Sequence, residues 1–148
     1  MDDSETKSIS KNLKELGKEL KVLFVDDDEF VRYSFTQILS LFFKEVNSCE
    51  SAREALDLYE NNNYDLVFSD ISMPEMDGIE LVTILKKKNP QQAIVMVSAH
   101  NQNEYIDELE KLKIEAFINK PINLSNHGKL LINVCKKIVD SKSSGLKY

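Results

Sequence analysis

Five short apolar runs, separated by longer stretches of helical periodicity, constrain the fold more than any other feature of the sequence. The runs are rich in Val, Ile and Phe, as buried strands are. They cover Lys21 to Val25, Glu45 to Cys49, Asp65 to Ser69, Ala93 to Val97 and Ala116 to Asn119. When strands of this kind alternate with helices, each crossover helix buries its apolar stripe against a parallel sheet. The pattern therefore predicts an α/β fold, a doubly wound five-stranded parallel sheet with helices on both faces.

The helical stretches repeat apolar residues at three- and four-residue spacing. In the helix after the first strand, the residues predicted to face the sheet are Phe30, Tyr33, Ile38 and Leu41. Apolar residues at the same spacing also precede the first strand, but this pattern covers only two heptads and contains Gly17. It therefore favours a helix packed on its own domain over a coiled coil. We therefore predict a helical extension at residues 1–20, a main domain at 21–140 and a polar tail or linker at 141–148.

Composition argues against several classes of protein. The formal net charge of −6 argues against direct binding of nucleic acid. No apolar run approaches the roughly 18 to 20 residues of a membrane span, and the charged first 20 residues lack the apolar core of a secretion signal, so we expect a cytoplasmic protein. Cys49 and Cys135 have no His or Cys nearby at metal-ligand spacing. We interpret them as buried structural thiols, not as a disulfide or a zinc site.

Polar residues follow four of the five predicted strands. Ligands of such folds bind beyond the carboxyl ends of the strands, so these residues are the first candidates for a site. They are Asp26, Asp27, Asp70, Ser98 and Lys120.

The chemistry of this set points to phosphoryl transfer. Three adjacent carboxylates repel one another unless a cation joins them, and a site made only of oxygen favours Mg²⁺ over zinc or copper. Lys120 and Ser98 suit the non-bridging oxygens of a phosphoryl group. Asp70, at the end of the central strand, is the best placed nucleophile and would form an acyl phosphate.

Four motifs in this order resemble the receiver domain of two-component response regulators. They are "LFVDDDEF", "YDLVFSDISMPEMDG", "VSAH" and "FINKP", and the resemblance covers roughly Lys21 to Asp140. Together they are specific, whereas any one of them alone would be weak. The resemblance implies a flavodoxin-like fold, a bacterial signalling role and Mg²⁺ as cofactor.

The resemblance also assigns the acidic residues. It implies Asp70 as the phosphoacceptor and Asp26 and Asp27 as the acidic pair, with Asp27 as a direct Mg²⁺ ligand. The backbone carbonyl of Ser72 would complete the metal ligands, which are Asp26, Asp27, Asp70 and Ser72.

Further residues would act after phosphorylation. Lys120 would pair with Asp70 and then with the phosphoryl group, aimed by a cis peptide bond before Pro121. Ser98 would turn inward to donate to a phosphoryl oxygen, and Phe117 would follow as an aromatic switch.

The sequence departs from the family at several positions. Phe117 replaces the tyrosine or threonine often found there, so no phenol hydroxyl reports the switch. Lys113 replaces a common glycine, and a left-handed lysine would cost roughly 1 kcal/mol, so we expect that loop to differ. Ser72 and His100 occupy two variable positions at which family members tune how water reaches the acyl phosphate.

As to partners, the resemblance implies phosphorylation by a sensor histidine kinase or a phosphotransfer protein. Output to a partner protein or domain would pass through the fourth crossover helix, the fifth strand and the last helix, and a homodimer is a further option. The protein would be a switch that catalyses only its own phosphorylation and dephosphorylation, not a turnover enzyme.

Alternatives remain open at this point. "DDDEF" resembles the motif of aspartate-nucleophile phosphatases, but Phe30 stands where those enzymes carry Thr or Val. An ATPase would need a GxxxxGK[ST] loop, which is missing. A pseudo-receiver would bind partners without phosphorylation. Each residue also has a structural interpretation: the aspartates as helix caps, Ser98 as a turn residue, Phe117 as core and His100 as a solvated loop residue.

Overall fold

A computed structural model describes residues 3–99 and 105–144 of the 148-residue chain. Within these ranges it contains five strands and six helices. In chain order they are α1 (Asp3–Gly17), β1 (Lys21–Val25), α2 (Glu29–Ser40), β2 (Glu45–Cys49), α3 (Ala52–Glu60), β3 (Leu66–Asp70), α4 (Gly78–Lys88), β4 (Ala93–Ser98), α5 (Ile106–Lys111), β5 (Ala116–Asn119) and α6 (Leu124–Ser143).

All five strands form one parallel sheet in the order β2-β1-β3-β4-β5, which confirms the predicted fold class. Each residue of β3 and of β4 is buried, because helices cover both faces. Two strands end one residue later than predicted, so that Asp70 and Ser98 are the last residues of β3 and β4. Both polar side chains are therefore held by the sheet itself and not by a loop.

Side chains of successive residues in the central strands lie alternately in two separate cores. Phe24 of β1 and Phe68 of β3 lie in the core beneath α1, α2 and α6. Leu23 and Val67, their neighbours in the chain, lie in the opposite core beneath α3, α4 and α5. This alternation is the reason why the strands appear in the sequence as continuous apolar runs.

The face of α2 that meets the sheet differs from the predicted one. Phe30, Tyr33 and Leu41 are 86%, 67% and 63% exposed, whereas Phe35 and Leu39 are buried. Two stripes of helical spacing overlap in this segment, and the stacking of Phe35 on Phe24, with ring centroids 4.6 Å apart, orients the helix. The prediction was therefore wrong for these three exposed residues, although Ile38 does pack against the core.

Helix α1 packs along α6 on the outer side of the first core. Ile9 and Leu13 are buried there. A Cβ on Gly128 of α6 would lie 2.5 Å from Cγ2 of Ile9, and one on Gly17 would lie 2.5 Å from the carbonyl oxygen of Phe42. Glycine therefore permits close approach of α1 to α6 at Gly128, and of the end of α1 to the segment after α2 at Gly17. The boundaries 1–20, 21–140 and 141–148 stay a prediction, and α6 itself continues to Ser143.

Gly128→Ala is expected to destabilise the domain by about 1 kcal/mol, because the overlap with Ile9 outweighs the gain in helix propensity. In an Ile9→Ala background the same substitution is expected to stabilise by up to about 1 kcal/mol, since the overlapping methyl group is gone. Urea unfolding of the four proteins measures both effects. An equal effect of Gly128→Ala in the two backgrounds would contradict the close packing of α1 on α6.

Other features of the fold bear on earlier expectations. The expectation that the loop at Lys113 would differ to avoid a left-handed lysine was wrong, because Lys113 adopts that backbone, with φ of 57°, where glycine is usually favoured. Cys49 and Cys135 are free and buried, and burial raises the pKa of each thiol to about 12. Within the described ranges, no helix combines the length and the apolar character that a membrane crossing requires.

Candidate functional site

The carboxyl edge of the sheet brings together acidic and basic residues that are far apart in the sequence. Asp26 follows β1, Asp70 ends β3, and Lys120 follows β5. The Lys120 Nζ lies 2.9 Å from Oδ2 of Asp26 and 3.3 Å from Oδ1 of Asp70. Asp26 is fully buried and Asp70 is 4% exposed, so one ammonium group serves two carboxylates that are largely shielded from water.

The three aspartates after β1 have two different functions. Asp28 caps α2, because its carboxylate accepts hydrogen bonds from the backbone N–H groups of Phe30 at 2.9 Å and Val31 at 3.1 Å. Asp26 instead points into the site, where its Oδ1 accepts from the N–H of Asp28 at 2.9 Å. The capping interpretation therefore applies to Asp28, whereas Asp26 and Asp27 belong to the acidic cluster.

Burial and neighbouring charges shift the pKa values of Asp70 and Lys120. The pKa of Asp70 is raised to about 6, first by burial and then by the negative charge of Asp26, while Lys120 opposes the shift. Burial lowers the pKa of Lys120, but the contact of its ammonium group with the Asp26 carboxylate and the charge of Asp70 outweigh burial, so the net pKa is raised. Lys120 therefore stays positively charged at neutral pH.

The donor atoms fit a hard divalent cation. One carboxylate oxygen from each of Asp26, Asp27 and Asp70 lies within 4.8 Å of the others, and Asp27 opens the cluster to solvent. Three carboxylates exceed the single charge of Lys120, which leaves a surplus of negative charge. Oxygen-only ligands with one side open to water are typical of Mg²⁺ sites, so these residues fit that ion.

The other predicted residues lie around this cluster. Ser72 is exposed in the loop after β3, and Phe117 of β5 packs half-buried against the second core. The peptide bond between Lys120 and Pro121 is cis, as the resemblance implied. His100 lies outside the described residues, so its tuning role stays a prediction, as does metal ligation by the Ser72 carbonyl.

Ser98 has a partner that the sequence did not reveal. Its hydroxyl donates a hydrogen bond to Oδ1 of Asn119, with the two oxygens 3.2 Å apart. The two residues are opposite each other in the parallel pairing of β4 with β5. Only the strand register could have identified Asn119, because an Asn before Lys120 carries no signal of its own.

Gly78 sets the position of the strand end that carries Asp70. Its N–H donates to the carbonyl of Ile71 at 2.7 Å. A Cβ at this position would lie 2.1 Å from the backbone carbonyl oxygen of Asp70. The first turn of α4 therefore packs directly on the backbone of the site, which only glycine permits.

Comparison with known families supports the same interpretation as the motifs. A sequence model of the response regulator receiver domain matches residues 22–131. This chain belongs to that family. The match covers the sheet except Lys21, all the acidic residues of the cluster and Lys120, and the recognition made from the four motifs is confirmed.

Curated relatives carry similar receiver domains in proteins of different length. Chemotaxis protein CheY of Halobacterium salinarum is 35% identical over 101 residues, covering 68% of this chain and 84% of CheY. A cyclic di-GMP phosphodiesterase of Thermotoga maritima is 34% identical over 105 residues, and transcriptional regulatory protein LytR of Staphylococcus aureus is 32% identical over 104. The matches cover 71% and 69% of this chain but only 28% and 42% of those relatives.

Solved receiver structures share the fold. Response regulator TrrA of Thermotoga maritima, in complex with Mg²⁺ and BeF, is 26% identical with a TM-score of 0.69, covering 78% of this chain and 98% of TrrA. A receiver domain protein of Clostridium thermocellum is 21% identical with a TM-score of 0.74, and the match covers 86% of this chain and 99% of that protein. At this identity the likeness shows the fold alone. Together they match the five-stranded parallel sheet of this receiver domain.

Proposed function

We propose that this receiver domain accepts a phosphoryl group on Asp70 in an Mg²⁺-dependent reaction and then changes conformation to regulate a partner. The donor would be the phosphohistidine of a sensor histidine kinase or of a phosphotransfer protein. The observation that carries the proposal is the position of the Lys120 ammonium group, which contacts both Asp70 and Asp26 at the edge of the acidic cluster.

Asp70 is a better nucleophile than Asp26. Asp26 is fully buried, with Oδ1 accepting a hydrogen bond from the N–H of Asp28 and Oδ2 in an ion pair with Lys120. Asp70 ends the central strand and retains some exposure. With a pKa of about 6 it is mostly ionised at neutral pH, as a nucleophilic carboxylate must be.

The transfer forms one bond and breaks one. A carboxylate oxygen of Asp70 attacks phosphorus, the P–N bond to the donor imidazole breaks, and the leaving imidazole nitrogen takes up a proton from water. Lys120 and the hydroxyl of Ser98 would stabilise the phosphoryl oxygens through charge and hydrogen bonding. Mg²⁺, held by Asp26, Asp27, Asp70 and the Ser72 carbonyl, would supply further neutralisation of the transferred group.

An apolar groove beside the site offers a place for the phosphodonor protein. It has a volume of about 400 Å³ and extends from Phe30 and Ile38 of α2 to Lys120 and Pro121. The side chain of Phe30 is almost fully exposed there. A donor that covers this groove would bury apolar surface next to Asp70 and exclude water from the reacting groups.

The response would pass from Ser98 and Phe117 to the surface formed by α5, β5 and α6. Because α1 already packs on α6, a partner would contact α5, β5 and the remainder of α6. In this scheme residues 21–140 form the switch, 1–20 are a helical extension and 141–148 are a tail or linker. Ser72 and His100 would influence the access of water to the acyl phosphate.

The proposal is tested by incubating the protein with acetyl phosphate, with Mg²⁺ or with EDTA, and measuring intact mass. We expect one added phosphoryl group with Mg²⁺ and none with EDTA. Asp57→Asn, which changes an exposed carboxylate on α3, is expected to behave as the parent.

Borohydride reduction of the labelled protein, followed by peptide mass spectrometry, identifies the labelled aspartate. Reduction at Asp70 supports the proposal. Reduction at Asp26 would instead support the phosphatase-like alternative, and absence of any label would indicate a pseudo-receiver.

A further inference from the structure

The hydroxyl of Ser98 already has a hydrogen-bond acceptor on the neighbouring strand. Ser98 and Asn119 are the last residues of β4 and β5 and lie opposite each other in the sheet. The Lys120 N–H donates to the carbonyl of Ser98 at 2.8 Å, which fixes the two backbones beside each other. The contact between the two side chains therefore rests on the sheet register.

A serine hydroxyl has one proton to donate. In this structure that proton is directed to Oδ1 of Asn119. Under the proposed function, Ser98 must donate instead to a phosphoryl oxygen on Asp70. The two acceptors exclude each other, so the bond to Asn119 has to break before Ser98 completes the phosphorylated site.

The environments of the two residues are unequal. Ser98 is 6% exposed, so its hydroxyl depends on a protein acceptor, whereas Asn119 is exposed and its amide would be hydrated once released. Breaking the bond therefore costs only the net value of one neutral hydrogen bond. A bond of this kind corresponds to a factor of roughly two to ten in an equilibrium constant.

We propose that Asn119 is a positioning residue that holds Ser98 in the unphosphorylated arrangement and thereby opposes activation. The proposal rests on the function proposed above, because it assigns Ser98 to the phosphoryl group. Removing the amide leaves the hydroxyl of Ser98 without its resting acceptor. The phosphoryl oxygen then becomes its best remaining partner.

Asn119→Ala is expected to bind beryllofluoride, a phosphoryl mimic, about two- to tenfold more tightly than the parent in the presence of Mg²⁺. Isothermal titration calorimetry measures the dissociation constants. Asn126→Ala, the same substitution at an exposed position of α6, is the matched control and is expected to match the parent. Urea unfolding of each variant establishes that the fold is retained.

A double-mutant cycle separates this role from a merely structural one. In a Ser98→Ala background, Asn119→Ala is expected to leave the affinity unchanged, because no hydroxyl remains to be released. Equal or weaker binding by Asn119→Ala in the parent background would overturn the inference, as would the same gain with and without Ser98. If the parent itself neither binds beryllofluoride nor is labelled by acetyl phosphate, the proposed function fails instead.

Discussion

Asp70→Asn is expected to abolish phosphorylation by acetyl phosphate and, at the same time, to make the metal-free protein more stable at neutral pH. Asparagine keeps the size of the side chain but removes both the nucleophile and a buried negative charge next to Asp26. Lys120 keeps its ion pair with Asp26 in the variant. Activity and stability should therefore change in opposite directions at this one position.

The expected gain in stability follows from the pKa of Asp70. The carboxyl group has a pKa of about 6 in the folded protein against an ordinary value of 3.8, so between these values the folded state binds more protons than the unfolded state. Stability is therefore lost as the pH rises from about 4 to about 6, and the loss persists above this window. The shift corresponds to at most about 3 kcal/mol, which Asp70→Asn would recover.

Urea unfolding of parent and variant between pH 4.5 and 8, without Mg²⁺, measures how the difference in their unfolding free energies depends on pH. The difference in unfolding free energy should grow from low to neutral pH, and the contributions of titrating groups that do not interact with Asp70 cancel in the comparison. Asp57→Asn serves as the control for loss of a surface charge. A variant that is less stable than the parent at neutral pH, or that still becomes labelled on residue 70, would falsify the prediction.

Gly78→Ala is expected to destabilise the domain by about 2 to 3 kcal/mol, and to reduce phosphorylation of the molecules that remain folded. The new Cβ would lie 2.1 Å from the carbonyl oxygen of Asp70 and 2.9 Å from the Cα of Ile71. Backbone atoms of a central strand cannot move aside as a side chain can. The strand end would therefore shift, and the Asp70 carboxylate would move relative to Lys120.

The matched comparison is Gly128→Ala, where the added methyl group meets only the side chain of Ile9, with Cγ2 at 2.5 Å and two further atoms at 3.7 Å. Urea unfolding of both variants should rank Gly78→Ala as the more damaging substitution. Labelling by acetyl phosphate, normalised to the folded fraction, should decline for Gly78→Ala alone. Equal unfolding free energies of the two variants would show that the overlap with the Asp70 backbone costs no more than the overlap with the Ile9 side chain.

Much of the site was predictable because the carboxyl ends of parallel strands all lie at one edge of the sheet. The position of Asp70, Asp26 and Lys120 along the chain therefore predicted their proximity without any knowledge of the loops. Asn119 was not predictable in this way, since its contact with Ser98 depends on the register of two strands, which a single sequence does not encode locally.

The buried face of α2 was mispredicted for a different reason. Its segment contains two overlapping apolar stripes, and periodicity alone gives both of them equal weight. The contact of Phe35 with Phe24 selects one stripe, and this contact joins a helix to a strand through tertiary packing. Phe30, left on the surface by that choice, is the residue that borders the groove beside the site.

The course of α1 along α6 suggests a way to build a fluorescent reporter. Ile9 lies against Gly128 near the start of α6, and Gly17 lies against Phe42 after the end of α2, so α1 begins at the end of the sheet that carries Asp70. The chain contains no tryptophan. An indole introduced by Lys7→Trp, at an exposed position of α1, would be the sole tryptophan fluorophore and would report on this helix when acetyl phosphate or beryllofluoride is added.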